Sequence, residues 1–285
     1  MEKWFEILNE LEDRRKGTHL HETIYNEILV KGEQWSKKKA KQFEPSVELM
    51  GKIMMANADY QKRYGPFSDM FGAFLEQTEN NWKRGGQFLT PENLVDCIIR
   101  MTFPDDKEKL LEKPQMINDP AAGTGRFMLK TAQYFAKTVG QLNFIFFNID
   151  IDSTVYVYCT MNAILHGIPS INILGDSLAF KFREGVGTIP IGQVAMWKML
   201  SQEQVTRIMG TAEQFAAQGR PQQVLPVLPL LPQLPQSSMV TNNKKTATKA
   251  RITQAMVTTL EAEQMKQLTQ ATLMQWQPKK KARTR

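Results

Sequence analysis

The chain has 285 residues, 42% of them hydrophobic, and a net charge of +7, so it can bury a core in one large domain or a domain with appended segments. No run of about 18 apolar residues occurs, which argues against a membrane-spanning helix, and the acidic, amphipathic Met1–Glu12 does not fit a secretory signal. Cys97 and Cys159 both stand among apolar neighbours and read as reduced core residues of a cytoplasmic protein.

Residues 1–85 read as an N-terminal helical region. Trp4, Ile7, Leu8 and Leu11 repeat at helical spacing, and Val47, Met50, Met54 and Phe67–Leu75 continue the pattern. The basic run Lys37–Lys41 reads as a solvated face between helices. Asn93–Met101 predicts a helix with Thr90 as cap and Pro91 at its first position. Lys113–Asn118 predicts a short strand leading into Asp119-Pro120, and a helix follows over Phe127–Thr138. Asn143–Asp150 is a strongly apolar strand whose Phe144, Ile145, Phe146 and Phe147 read as core. Val155–His166 is a helix and Ile171–Leu174 a third strand. This alternation within residues 86–187 predicts the βαβαβ arrangement of a doubly wound parallel sheet, an α/β fold.

Beyond Gly187 the composition changes. Gln, Met, Thr and Leu dominate, Asp disappears, and nothing resembles further strands. Val194–Gln218 predicts a helix within residues 188–220. Pro221–Pro235 has proline too often for helix or central strand, so residues 221–236 read as an extended linker. Residues 237–285 read as a basic, Gln-rich helical tail, with a helix over Ile252–Gln275 and a disordered end at Pro278–Arg285. Residues 188–285 hold 13 Lys or Arg against 4 Glu, a balance of +9 that leaves the rest of the chain at −2. Such a tail fits contact with a polyanion, most simply nucleic acid, and equally a solvated segment.

The chemistry-bearing residues gather at the predicted strand ends. Asp119-Pro-Ala-Ala-Gly-Thr-Gly-Arg-Phe127 stands between a strand and a helix. There Gly123 and Gly125 permit a tight turn with close backbone approach to a ligand, and the helix offers free N–H groups. Asp150, at the end of the second strand, stands where dinucleotide-binding folds place a ribose-binding acid; Asp152 is the alternative. Asp176, after the third strand, could accept from the exocyclic amine of an adenine ring. The bland alternative for each is strand-end capping or a turn. His19 and His21 have no third ligand nearby, so no metal site is expected, and His166 reads as a packing or capping residue.

Taken together, these motifs resemble the N6-adenine DNA methyltransferases, specifically the modification subunits of type I restriction systems and their phage relatives. The matching segments are GQFLTP (86–91), DPAAGTGRF (119–127), Asp150, MNAILHGI (161–168) and GDSL (175–178), with a helical lead-in beginning at Asp69. The resemblance covers about residues 65–180 and implies a Rossmann-like S-adenosylmethionine-dependent methyltransferase fold. It implies Phe88 and Thr90 at the methionine end of S-adenosyl-L-methionine. Asp119, Ala121 and the Gly123–Gly125 backbone would hold the amino-acid portion, Asp150 the ribose and Asp176 the adenine amine. It also implies DNA as substrate, a restriction-modification setting, and a specificity subunit or second methyltransferase subunit as partner.

One family motif is missing. The Asn/Asp-Pro-Pro-aromatic tetrapeptide that holds the target adenine has no counterpart, because the chain contains no Pro-Pro pair. The catalytic residues are therefore unassigned. In that family the first strand is central, so with three strands Met116–Asp119 is expected to form an exposed edge. Three readings follow: a cofactor-binding, non-catalytic or truncated homologue, an active DNA methyltransferase with a diverged or partner-supplied motif, or a relic fold serving as an interaction protein. The compositional break near Gly187 fits a truncated or frame-altered product.

Overall fold

The computed structural model describes residues 2–12, 19–33, 44–78, 89–103 and 105–210. Phe88, the Lys37–Lys41 run, the Pro-rich linker and the basic tail lie outside the described residues. The N-terminal region is helical as expected: α1 (Lys3–Leu11), α2 (Leu20–Thr23), a π-wound segment (Ile24–Val30), α3 (Lys31–Glu33), α4 (Glu44–Tyr64) and α5 (Met70–Thr78). Helix α1 buries Trp4 and Leu8, one helical turn apart, and the Trp4 ring meets Tyr60 of α4 edge-on at 4.8 Å.

Helices α6 (Glu92–Thr102) and α7 (Lys107–Glu112) lead into the sheet. The sheet elements then follow as β1 (Gln115–Asp119), α8 (Arg126–Thr138), β2 (Phe144–Asp150), α9 (Ser153–Leu165), β3 (Ser170–Asp176), β4 (Lys181–Pro190) and β5 (Ala195–Leu200), with α10 (Gln202–Met209) closing the described chain. Strand order is β1-β2-β3-β4-β5; β1, β2 and β3 run parallel, and β4 and β5 add on antiparallel. The two crossovers advance in the same direction, so right-handed connection puts α8 and α9 on one face. Met128, Leu129 and Phe135 of α8 and Ala163 of α9 accordingly share a core with Phe144 and Phe146. This Rossmann-like α/β unit carries the predicted strands and helices over residues 115–176.

Helix α9 is buried on every side from Val155 to Leu165, as its all-round apolar sequence dictates. Its outer flank packs against the N-terminal helices: Trp4, Leu8, Ile24, Ile53 and Phe71 share one core with Tyr156, Tyr158, Met161 and Val186. Packing therefore runs without a break across residue 85. On the opposite face of the sheet, Val205 of α10 approaches β4, its Cγ2 3.0 Å from where a Cβ on Gly185 would stand.

Three expectations are corrected. Of the helix foreseen over Val194–Gln218, the described part is instead strand β5 followed by the short α10, and residues 211–218 lie outside the described residues. Further sheet exists beyond the third strand, a hairpin of β4 and β5 turned at Ile191–Val194, where the Ile191 N–H donates to the Val194 carbonyl. Side chains of β4 alternate between inward Phe182 and outward Lys181 and Arg183, the period of a strand. Cys97 is exposed on α6, because that helix turns Val95 and Ile99 inward, while Cys159 is buried as foreseen.

The hairpin extends the sheet beyond β3 and leaves β1 as the opposite edge. There Met116 is 48% exposed, and a cleft of about 470 Å³ runs along the strand between Phe103, Leu110 and Ile117. Leu94, Ile98 and Met101 add an exposed apolar stripe along α6.

Candidate functional site

Each of the three parallel strands ends in an aspartate at its carboxyl end: Asp119 on β1, Asp150 on β2 and Asp176 on β3. Open α/β sheets gather ligands at this end of their strands. The glycine-rich turn follows β1 directly. Gly123 has φ +55 and Gly125 φ +87, left-handed conformations that favour glycine. A Cβ on Gly125 would lie 2.9 Å from both Cys159 Sγ and Met128 Cε, so packing as well as conformation excludes a side chain there.

Hydrogen bonds tie the predicted segments to one another. The Gly123 N–H donates to Asp150 Oδ2 at 2.8 Å, and the Ala122 N–H to the Ile149 carbonyl at 3.0 Å. The Ser177 hydroxyl donates to the Pro120 carbonyl at 2.8 Å, drawing the GDSL loop onto the turn. Leu89, beside Thr90, brings its Cδ2 to 3.1 Å from where a Cβ on Gly123 would be.

The four predicted acids are used differently. Asp119 Oδ1 accepts from the Ala121 N–H at 3.2 Å, while its Oδ2 is buried with no hydrogen-bond partner. Burial raises its carboxyl above the usual range, with the neighbouring Asp150 charge adding to the rise. Burial likewise raises Asp150, whose Oδ1 accepts from the Asp152 N–H at 3.0 Å. Backbone N–H groups of Asp152, Gly123 and Ile151 work against that rise by donating to the carboxylate. Asp152 caps α9, accepting from the Thr154 N–H at 2.7 Å. Asp176 Oδ1 accepts from the N–H groups of Leu178 and Ala179, both at 2.9 Å, the turn geometry weighed as its bland alternative. Asp176 also lines a cleft of about 450 Å³ with Ile151, Phe180 and Phe182.

Thr90 does not cap α6; Pro91 occupies that position without a side-chain bond. The Thr90 carbonyl instead accepts from Arg126 Nη1 at 3.0 Å. His166 is half-buried with its ring 5.5 Å from that of Phe67, and desolvation lowers its pKa to about 4. His19 Nδ1 lies 3.3 Å from Glu12 Oε1.

Behind the turn lies a polar cluster centred on Asp69, which is 2% exposed. Its Oδ1 accepts from the Gly72 N–H and from Asn162 Nδ2, both at 2.9 Å. Its Oδ2 accepts from the Thr124 hydroxyl at 2.5 Å and from Arg126 Nε at 2.8 Å. Asn162 Nδ2 also donates to the Thr124 carbonyl at 2.8 Å. Arg126 reaches Glu76 as well, at 2.8 Å. Burial opposes the Arg126 cation, but Asp69 and Glu76 outweigh it and hold the guanidinium above its ordinary pKa. In the sequence Asp69, Thr124, Arg126 and Asn162 stand as letters of the matching segments, with no role attached to their side chains. One signal was available: Arg126 is the first residue of α8, where a cation opposes the helix dipole unless an anion meets it.

The profile described as N-6 DNA Methylase matches residues 62–186. The StySPI type I restriction enzyme methylase subunit of Salmonella potsdam is 31% identical over 104 residues, covering 36% of this chain and 18% of that protein. The EcoKI type I restriction enzyme methylase subunit of Escherichia coli strain K12 is 30% identical over the same length and shares. This chain thus spans under a fifth of the length of either relative. A solved structure from Listeria monocytogenes, described as a class I S-adenosylmethionine-dependent methyltransferase, aligns at TM-score 0.29 and 15% identity over 56% of this chain and 48% of that one.

Proposed function

We propose, on the premise that residues 62–186 belong to the N-6 DNA methylase family, that this chain binds S-adenosyl-L-methionine at the carboxyl end of its parallel strands. The observation that carries the reading is the bare, buried Oδ2 of Asp119 beside a glycine turn that leaves no room for side chains. A buried carboxylate oxygen without a donor is costly unless a ligand supplies one, and the cofactor's ammonium is such a donor. Asp119, Ala121 and the Gly123–Gly125 backbone hold the amino-acid portion, with Thr90 and Phe88 at the methionine end. Asp150 accepts from the ribose hydroxyls, and Asp176 from the adenine amine through its second oxygen. The bound cofactor supplies an electrophilic methyl group on a sulfonium.

DNA adenine N6 is the methyl acceptor of the reaction class, in a restriction-modification setting with a specificity subunit as partner. With no Pro-Pro pair in the chain, this polypeptide holds the cofactor without itself gripping a flipped adenine. A second reading, in which another polypeptide supplies the target-base motif, is favoured by the open edge of β1. Among the described residues no helix is long and apolar enough to cross a membrane.

Calorimetric titration with S-adenosyl-L-methionine, followed by a methyl-transfer assay on unmodified DNA, tests the proposal. Binding without transfer is expected. Transfer by the purified chain alone would sink the non-catalytic reading, and no binding would favour a relic fold acting as an interaction protein.

A further inference from the structure

Arg126 makes three separate contacts from one guanidinium: Nε to Asp69, Nη2 to Glu76 and Nη1 to the Thr90 carbonyl. The cation sits at the positive end of α8 with its side chain 8% exposed, so helix and burial both oppose it. Buried ion pairs of this kind add little net stability over apolar packing; geometry is what they specify. The geometry here is particular. Asp69 is met by four donors from Gly72, Thr124, Arg126 and Asn162, which draw α5, the glycine-rich turn and α9 to one point. A Cβ on Gly72 would lie 1.9 Å from Asp69 Oδ2, so only glycine admits the carboxylate. One turn further along α8, the nearly buried Lys130 pairs with Glu92 at 2.8 Å and fixes the start of α6 just after Thr90.

We infer that the Asp69–Arg126 pair, with Thr124, is a positioning device that sets Thr90 against the glycine-rich turn and so shapes the methionine end of the cofactor pocket. The inference rests on the cofactor reading above. Its consequence is a split between ligands. Disturbing the cluster weakens binding of the whole cofactor and spares the nucleoside end, which Asp150 and Asp176 hold from other strands.

The test compares S-adenosyl-L-methionine with 5′-methylthioadenosine, which keeps the nucleoside and lacks the amino-acid portion, by titration into the full-length chain. Thr124→Val and Arg126→Lys should each lower affinity for S-adenosyl-L-methionine by about tenfold, the loss of roughly one buried hydrogen bond, and leave 5′-methylthioadenosine within about twofold. Thr124→Ser, which restores the hydroxyl, should recover the wild-type value. Glu76→Gln alters an exposed carboxylate, spares the fold, and should weaken the cofactor alone by a smaller factor. Unchanged cofactor binding across the folded variants would overturn the inference while leaving the cofactor reading intact. Equal losses of both ligands would also overturn it, as general damage to the site. A wild-type chain that binds neither ligand would instead defeat the cofactor reading, and this inference with it.

Discussion

Asp69 and Asp119 stand on two sides of the same glycine-rich turn and are treated in opposite ways. Asp69 receives four donors, one of them a cation. Asp119 receives one, and its second oxygen is buried with none. The difference separates a framework acid from one with acceptor capacity left for a ligand, and hydrogen-bond saturation draws the line where residue type does not. The contrast can be broken by mutation. Asp69→Ala would leave a buried guanidinium with Glu76 as its remaining counter-charge and strand three further donors, so about 3–5 kcal/mol of stability should be lost in urea unfolding. A loss under about 1 kcal/mol would show that Asp69 is no hub.

A middle-sized effect should come from His166, whose Nε2 is buried without a hydrogen-bond partner. Its folded pKa, lowered to about 4, lies below the ordinary imidazole value of 6.5. The unfolded chain therefore takes up the proton first. This contribution is complete above pH 6.5 and drains away as pH falls toward 4, by at most about 3 kcal/mol. His166→Gln should flatten that part of the stability–pH curve; an unchanged slope would place the titrating group elsewhere.

The smallest stability effect is expected at Asp119→Asn. Removing a charge that burial already disfavours should leave stability within about 1 kcal/mol of wild type, while affinity for S-adenosyl-L-methionine falls about tenfold or more. A marked loss of stability with binding intact would erase the distinction from Asp69.

The parts of the molecule that sequence makes legible are those fixed by neighbours along the chain. Asp119, the two glycines and Asp150 announce themselves because strand, turn and helix follow in one short stretch. The Asp69 cluster does not, since its partners lie 57 residues away at Arg126 and 93 away at Asn162. Helix α6 shows a second limit. Val95 and Ile99 form one apolar stripe and Leu94, Ile98 and Met101 another, and only packing against α8 decides that the first turns inward and Cys97 outward. Strand β4 hides behind Gly185, Gly187 and Pro190, residues that read as loop. At Gly185 the choice comes from the neighbouring strand, for a Cβ there would lie 2.9 Å from the Asn172 carbonyl. The hairpin turn at Gly192, φ +88, was the available clue to a strand pair.

The free flank of β1 has a colloidal consequence. Among the described residues nothing pairs with its outward N–H and C=O groups, and Met116 and Leu111 keep the surroundings greasy. A ribbon of this kind accepts an incoming chain without any prior unfolding. Self-association through this edge is therefore expected to grow with protein concentration, whatever the stability of the interior.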